Sequence, residues 1–136
     1  MKKVSNRVIM LVIAMAMLFA MTTVAFAATY TGPFVVVWGS DKFNGKYTAT
    51  LDVSATKTNA ALTITGYSGI YAAETAAVLQ GTVYTLTSTG EQVPITNLFA
   101  SGGLSCSDER SYSGYTNVSA VCKYTFMGVE LRDVTQ

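Results

Sequence analysis

No histidine occurs anywhere in this chain, and that absence excludes more chemistry than any residue present admits. Without an imidazole there is no Ser–His or Cys–His activation of a nucleophile and no histidine-ligated metal. The groups that remain are eight carboxylates and two thiols. A carboxylate pair alone can hydrolyse a glycosidic bond. The candidates are Asp41, Asp52, Glu74, Glu91, Asp108, Glu109, Glu130 and Asp133. Asp52 falls on a solvent-alternating face, and Asp41, Glu91 and the Asp108–Glu109 pair fall in turns. None lies in an apolar stretch that would raise its pKa, so the set reads as solvated surface charge. A calcium site at Asp108 and Glu109 is disfavoured, because two adjacent acids with Arg110 beside them do not make an EF-hand loop. The sequence therefore assigns no catalytic residue, no metal and no cofactor.

The thiols carry more information. Cys106 and Cys122 are the only cysteines, and they enclose fifteen residues. Were the chain exported, one cysteine pair would be most simply a disulfide. Closing a loop of that length stabilises by roughly 3 kcal/mol in the chain-entropy model. Two thiolates with no histidine do not complete a tetrahedral metal site. The enclosed run holds Tyr112, Ser113, Gly114, Tyr115, Thr116 and Asn117, a composition suited to recognition: tyrosine gives wide amphipathic contact at little entropic cost, and Ser, Gly and Asn adapt their hydrogen bonds. The candidate ligand-binding residues are thus Asp108, Arg110, Tyr112, Tyr115 and Asn117. The competing reading is a solvated hairpin whose tyrosines lie over a sheet. Asn117-Val118-Ser119 matches a glycosylation sequon, a motif frequent by chance.

Positioning these residues falls to the rest of the chain. Lys2, Lys3 and Arg7 precede an apolar run from Val8 to Met21, and Ala25-Phe26-Ala27 is a small-x-small site. Residues 1–27 are expected to be a cleavable signal peptide and 28–136 a single secreted domain. An uncleaved anchor is the competing reading, because Val8–Ala28 is long enough to span a bilayer. Residue 28 is Ala rather than a lipidated Cys, so no membrane attachment is expected after cleavage. The destination is extracellular, or periplasmic in a host with an outer membrane. Loss of the three leader cations leaves six Lys and Arg against eight Asp and Glu, a net charge of about −2. That balance excludes a nucleic-acid surface, which needs clustered cations. Ser and Thr make up about a quarter of residues 28–136, a composition that suits half-solvated β-sheet.

Period-two patterning supplies the strands. Tyr47, Ala49, Leu51, Val53 and Ala55 alternate with polar neighbours across Lys46–Thr56. Ala61–Gly66 returns as a partner with Leu62 and Ile64 inward, after a turn at Lys57-Thr58-Asn59. Val118, Ala120, Cys122, Tyr124 and Phe126 share one face of a further strand. Pro33–Trp38 is a continuous apolar run that reads as a strand buried on both faces, and Asn44-Gly45 reads as its following hairpin turn. Ile70–Gln80 is ambiguous between a two-turn helix and a strand from Thr75, and the surrounding β pattern favours the strand. Gly81 separates it from a strand at Thr82–Thr87. Ser88-Thr-Gly-Glu91 is a turn, and Gln92–Ala100 is an edge strand, since Pro94 cannot donate to a ladder.

These elements predict an all-β fold: a small antiparallel β-sandwich, immunoglobulin-like or barrel-like. Cys122 is expected to face the core of a central strand, with Cys106 reaching it from a neighbouring one beside Tyr124 or Trp38. The expected function is a non-enzymatic secreted protein that binds a cell-envelope or extracellular ligand, a polysaccharide or a protein, through Asp108–Asn117. The alternatives are a secreted antagonist, bacteriocin-like toxin or protease inhibitor, and then a carboxylate-based hydrolase.

Overall fold

The computed structural model describes residues 26–69 and 76–136. The expected leader lies outside the described residues except for Phe26 and Ala27, as does the 70–75 part of the ambiguous stretch. All regular structure among the described residues is β. The strands are β1 (Phe26–Trp38), β2 (Asp41–Val53), β3 (Lys57–Thr65), β4 (Ala77–Leu86), β5 (Gln92–Gly102), β6 (Ser105–Ser111), β7 (Val118–Phe126) and β8 (Val129–Thr135). They form two antiparallel four-stranded sheets, ordered β1-β2-β3-β6 and β5-β4-β7-β8. The inner faces share one apolar core, in a sandwich-like arrangement.

Alternation builds that core as the sequence predicts. Tyr47, Ala49, Leu51 and Val53 of β2 are buried, as are Ala60, Leu62 and Ile64 of β3. From the other sheet come Leu79 and Val83 of β4 and Ala120, Cys122, Tyr124 and Phe126 of β7. Phe34 and Tyr67 pack edge-on or tilted against each other and Phe126, with ring centroids 4.9–5.8 Å apart. Such arrangements put the positive ring edge against a neighbouring negative face.

Several elements depart from expectation. The apolar run Pro33–Trp38 is not buried on both faces. It belongs to β1, an edge strand; Phe34 and Val36 point inward, while Val35, Val37 and Trp38 are exposed, Trp38 by 58%. Trp38 therefore cannot sit beside the cysteines in the core. The hairpin turn falls at Gly39–Ser40 rather than Asn44-Gly45, which pair inside β2 with Val35 and Phe34. Gly45 serves packing instead: a Cβ there would come within 2.5 Å of the Phe34 ring. The next turn falls at 54–56, where Ser54 Oγ donates to the Lys57 carbonyl and accepts from its N–H. Lys57, Thr58 and Asn59 consequently open β3.

Gly81 does not break a strand, and β4 runs through it from Ala77 to Leu86. It stands where the backbone of β7 leaves no room for a side chain, since a Cβ at Gly81 would lie 2.1 Å from the Val121 carbonyl oxygen. The first half of the supposed cysteine-bounded loop is strand β6. A strand not anticipated from the sequence, β8, follows β7 through Met127 and Gly128, both at positive φ, as a tight two-residue hairpin turn requires.

The chain's two prolines both lie in edge strands, Pro33 in β1 and, as expected, Pro94 in β5. Lacking an N–H, each interrupts the row of donors that an open edge presents. Two seams join the sheets. At one, β5 leads into β6, and the Leu104 carbonyl accepts from Ile64 N–H at 2.7 Å. At the other, the Arg132 guanidinium of β8 lies 4.0 Å from the Tyr30 ring centroid of β1.

Candidate functional site

The β5–β6 seam is where the candidate ligand-binding residues divide. Asp108 pairs with buried Ala60 in the β3–β6 ladder and so shares the inward side of β6. Its side chain is only 14% exposed. One carboxylate oxygen accepts the backbone N–H of Phe99 at 2.9 Å and the Arg110 Nε–H at 3.1 Å. Phe99 lies on the sheet-edge strand β5, so Asp108 satisfies a donor that would otherwise face an open edge. Glu109, one residue on, alternates to the outer side and lies 3.6 Å from Lys57 Nζ. The adjacent carboxylates therefore diverge and do not form an acid–base pair across a common space.

Tyr112, Tyr115 and Asn117 belong elsewhere, at the end of the sandwich near the β2–β3 turn. Tyr112 donates its hydroxyl proton to the Ser54 carbonyl at 2.6 Å and accepts from Thr58 Oγ1 at 2.8 Å. Thr58 is fully buried, so this bond satisfies a hydroxyl with no access to water. Burial pushes the Tyr112 phenol above its ordinary pKa, with the Thr58 bond acting in the opposite sense. Tyr115 packs edge-on against Tyr112, with centroids 6.0 Å apart. The Asn117 carbonyl accepts from Leu86 N–H, and that of Thr116 from the Thr85 hydroxyl. The loop is thus pinned to both sheets, and Tyr112 is a structural anchor.

The structure does not show the expected Cys106–Cys122 disulfide, and the two cysteines stand as separate thiols. Cys122 is buried on β7, a central strand, as predicted. Cys106 is on β6, the edge of the opposite sheet. A bond would have to cross the core. Burial pushes the Cys122 thiol up to about 11 and also raises that of Cys106.

A surface that the sequence did not single out adjoins the seam. In the β4–β5 ladder Gln80 pairs with Phe99, Gly81 with Leu98 and Thr82 with Asn97. Leu98 is buried beneath, while Phe99 stands outward and 57% exposed. These six residues line an open depression of about 360 Å³. Gln80, Thr82, Asn97 and Phe99 present its outward side chains, whereas Gly81 shares the inward side of Leu98. Thr82 Oγ1 donates to Asn97 Oδ1 at 3.3 Å, which occupies the amide oxygen and leaves both Nδ2 protons available.

No family model, curated protein or solved structure matches this chain. None of the residues lining the depression is charged. The flanking charges are paired: Arg110 with Asp108, and Lys123, opposite Gln80 on β7, with Glu130 at 2.7 Å. The Lys123–Glu130 hydrogen bond, reinforced by their attraction, raises the lysine pKa and lowers that of the glutamate. Phe99 escaped the sequence reading because Pro94–Ala100 shows no clean alternation, so nothing distinguished outward Phe99 from inward Leu98.

Proposed function

We propose that this chain is an exported, non-catalytic binding protein that holds an extracellular or envelope ligand on the outer face of β4 and β5. The observation that carries this reading is Phe99: a large aromatic side chain, more than half exposed, on a strand whose backbone Asp108 clamps. An aromatic ring held on regular structure offers contact area at little cost in ordering on binding. The surrounding amides and hydroxyl can orient a ligand over it. The leader-like residues 1–27 support export. The Asp108–Asn117 segment enters this proposal only through Asp108 and Arg110, which brace the site from the seam.

Binding of purified protein to isolated cell-envelope material tests the proposal. Phe99→Ala is expected to weaken binding at least tenfold, whereas Tyr115→Ala leaves it within about twofold. The reverse pattern would move the site to the loop, and an absence of envelope binding by the unaltered protein would remove the proposal.

A further inference from the structure

Given that reading of the site, we infer that its ligand is a neutral saccharide, with one sugar ring lying on the face of Phe99 and its hydroxyls bonded by Gln80 and Asn97. The first ground is charge. Gln80, Gly81, Thr82, Asn97, Leu98 and Phe99 carry none, and both neighbouring cations are committed to carboxylates within the protein. A phosphate, a sulfated polymer or an acidic peptide would find no free cation to offset its desolvation.

Shape and spacing are the second ground. Gln80 stands directly across from Phe99, and Asn97 lies two residues along the same strand. Strand geometry makes those separations about 5 and 7 Å. A six-membered sugar ring fits that footprint, with its C–H face on the aromatic ring and its equatorial hydroxyls reaching outward to the amides. Each free amide supplies donors, and the Gln80 carbonyl supplies an acceptor, which matches the dual character of a sugar hydroxyl. The depression is open and at the small end of the range for ligand sites, which suits one ring of a chain rather than an engulfed molecule.

The third ground sets aside an extended peptide. A peptide binding here by strand addition would pair with the free edge of β5. There the Phe99 N–H is already bound by Asp108, and Pro94 has no N–H to give. The exposed chemistry of this strand is its outward face, not its edge.

The experiment uses neutral oligosaccharides of glucose, N-acetylglucosamine, mannose and galactose, with polygalacturonate and heparin as charged probes, titrated into isotope-labelled protein. At least one neutral oligosaccharide is expected to shift the side-chain amide signals of Gln80 and Asn97. That binding should survive a rise from 50 to 500 mM salt, weaken more than tenfold in Phe99→Ala, weaken several-fold in Asn97→Ala, and be retained in Phe99→Trp. Both residues point outward, and the unperturbed amide spectrum of each variant verifies its fold. Failure of every neutral probe, with envelope binding still dependent on Phe99, would overturn the saccharide and leave the binding function standing. Salt-sensitive binding of a charged probe alone would also overturn it. Loss of both activities would remove the two together.

Discussion

Cys122 and Tyr124 occupy successive inward positions on β7, and both are pushed above their ordinary pKa, chiefly by burial. The thiol gives the sharper consequence. In an unfolded chain it ionises near about 8.5. In the folded protein it is raised to about 11. Below about pH 8.5 both states keep the proton, and stability does not change on its account. Between about pH 8.5 and 11 the unfolded chain gives up its proton while the folded one retains it, so folding stability falls as pH rises. Tyr124 acts in the same sense at the upper end of that window. Urea unfolding at pH 8 and pH 10.5 is expected to show this decline, and Cys122→Ala to flatten it by up to one proton's worth of slope. An unchanged slope in that variant, or failure to find two free thiols in the unfolded protein, would contradict the free buried thiol. The inward position of Cys122 was legible because Ala120, Tyr124 and Phe126 repeat its parity. The placement of Cys106 was not, because sequence spacing does not tell which sheet receives it.

At the scale of elements, alternation was legible wherever a strand has one wet face, as in β2 and β7. It failed for β1, whose outward residues Val35 and Val37 are as apolar as its inward Phe34 and Val36. A run of that composition normally means burial on both faces. Here it forms a sheet edge, the arrangement most prone to pairing with another chain. No residue of β1 is charged, so the protection a lysine would give is missing. Pro33 is the one feature in β1 that interrupts its donors. Pro33→Val restores a donor and a β-former at that point, and is expected to give species larger than the unaltered protein at micromolar concentration. Size-exclusion chromatography with light scattering reads this directly; a variant whose mass matches that of the unaltered protein up to about 100 μM would show that Pro33 is not the guard. Gly81 teaches a related lesson. A glycine between two short apolar runs looks like a break, yet it marks a point where the β7 backbone leaves no room for a Cβ, a fact of tertiary packing that no local pattern encodes.

Among the described residues two sheets share a core and also meet at two unequal seams, and the candidate site depends on one of them. At the β1–β8 seam the bond is a cation over an aromatic face, Arg132 on Tyr30, worth about 0.5–1 kcal/mol at an exposed position. At the β5–β6 seam it is a carboxylate accepting a backbone N–H, with Arg110 holding the carboxylate in place. Hydrogen bonds to an ionised group contribute about 1.5–3 kcal/mol, and losing one here also leaves the Phe99 amide without its partner. Asp108 read from the sequence as a loop acid and a candidate ligand contact. Its actual position follows from β6 being a strand, which its polar sequence, Ser105 to Ser111, did not announce. Asp108→Ala is therefore expected to destabilise the protein by about 1–2 kcal/mol, more than Arg132→Ala. Hydrogen exchange separates the local effect from the global one. The Phe99 amide should exchange at least tenfold faster in Asp108→Ala, while amides in the middle of β2 and β7 slow or quicken only with overall stability. The same variant should weaken ligand binding, because a loosened β5 no longer fixes the Phe99 ring. Equal destabilisation by both variants, or an unchanged Phe99 exchange rate, would mean that the carboxylate does not clamp the edge and that the site is held by the β4–β5 ladder alone.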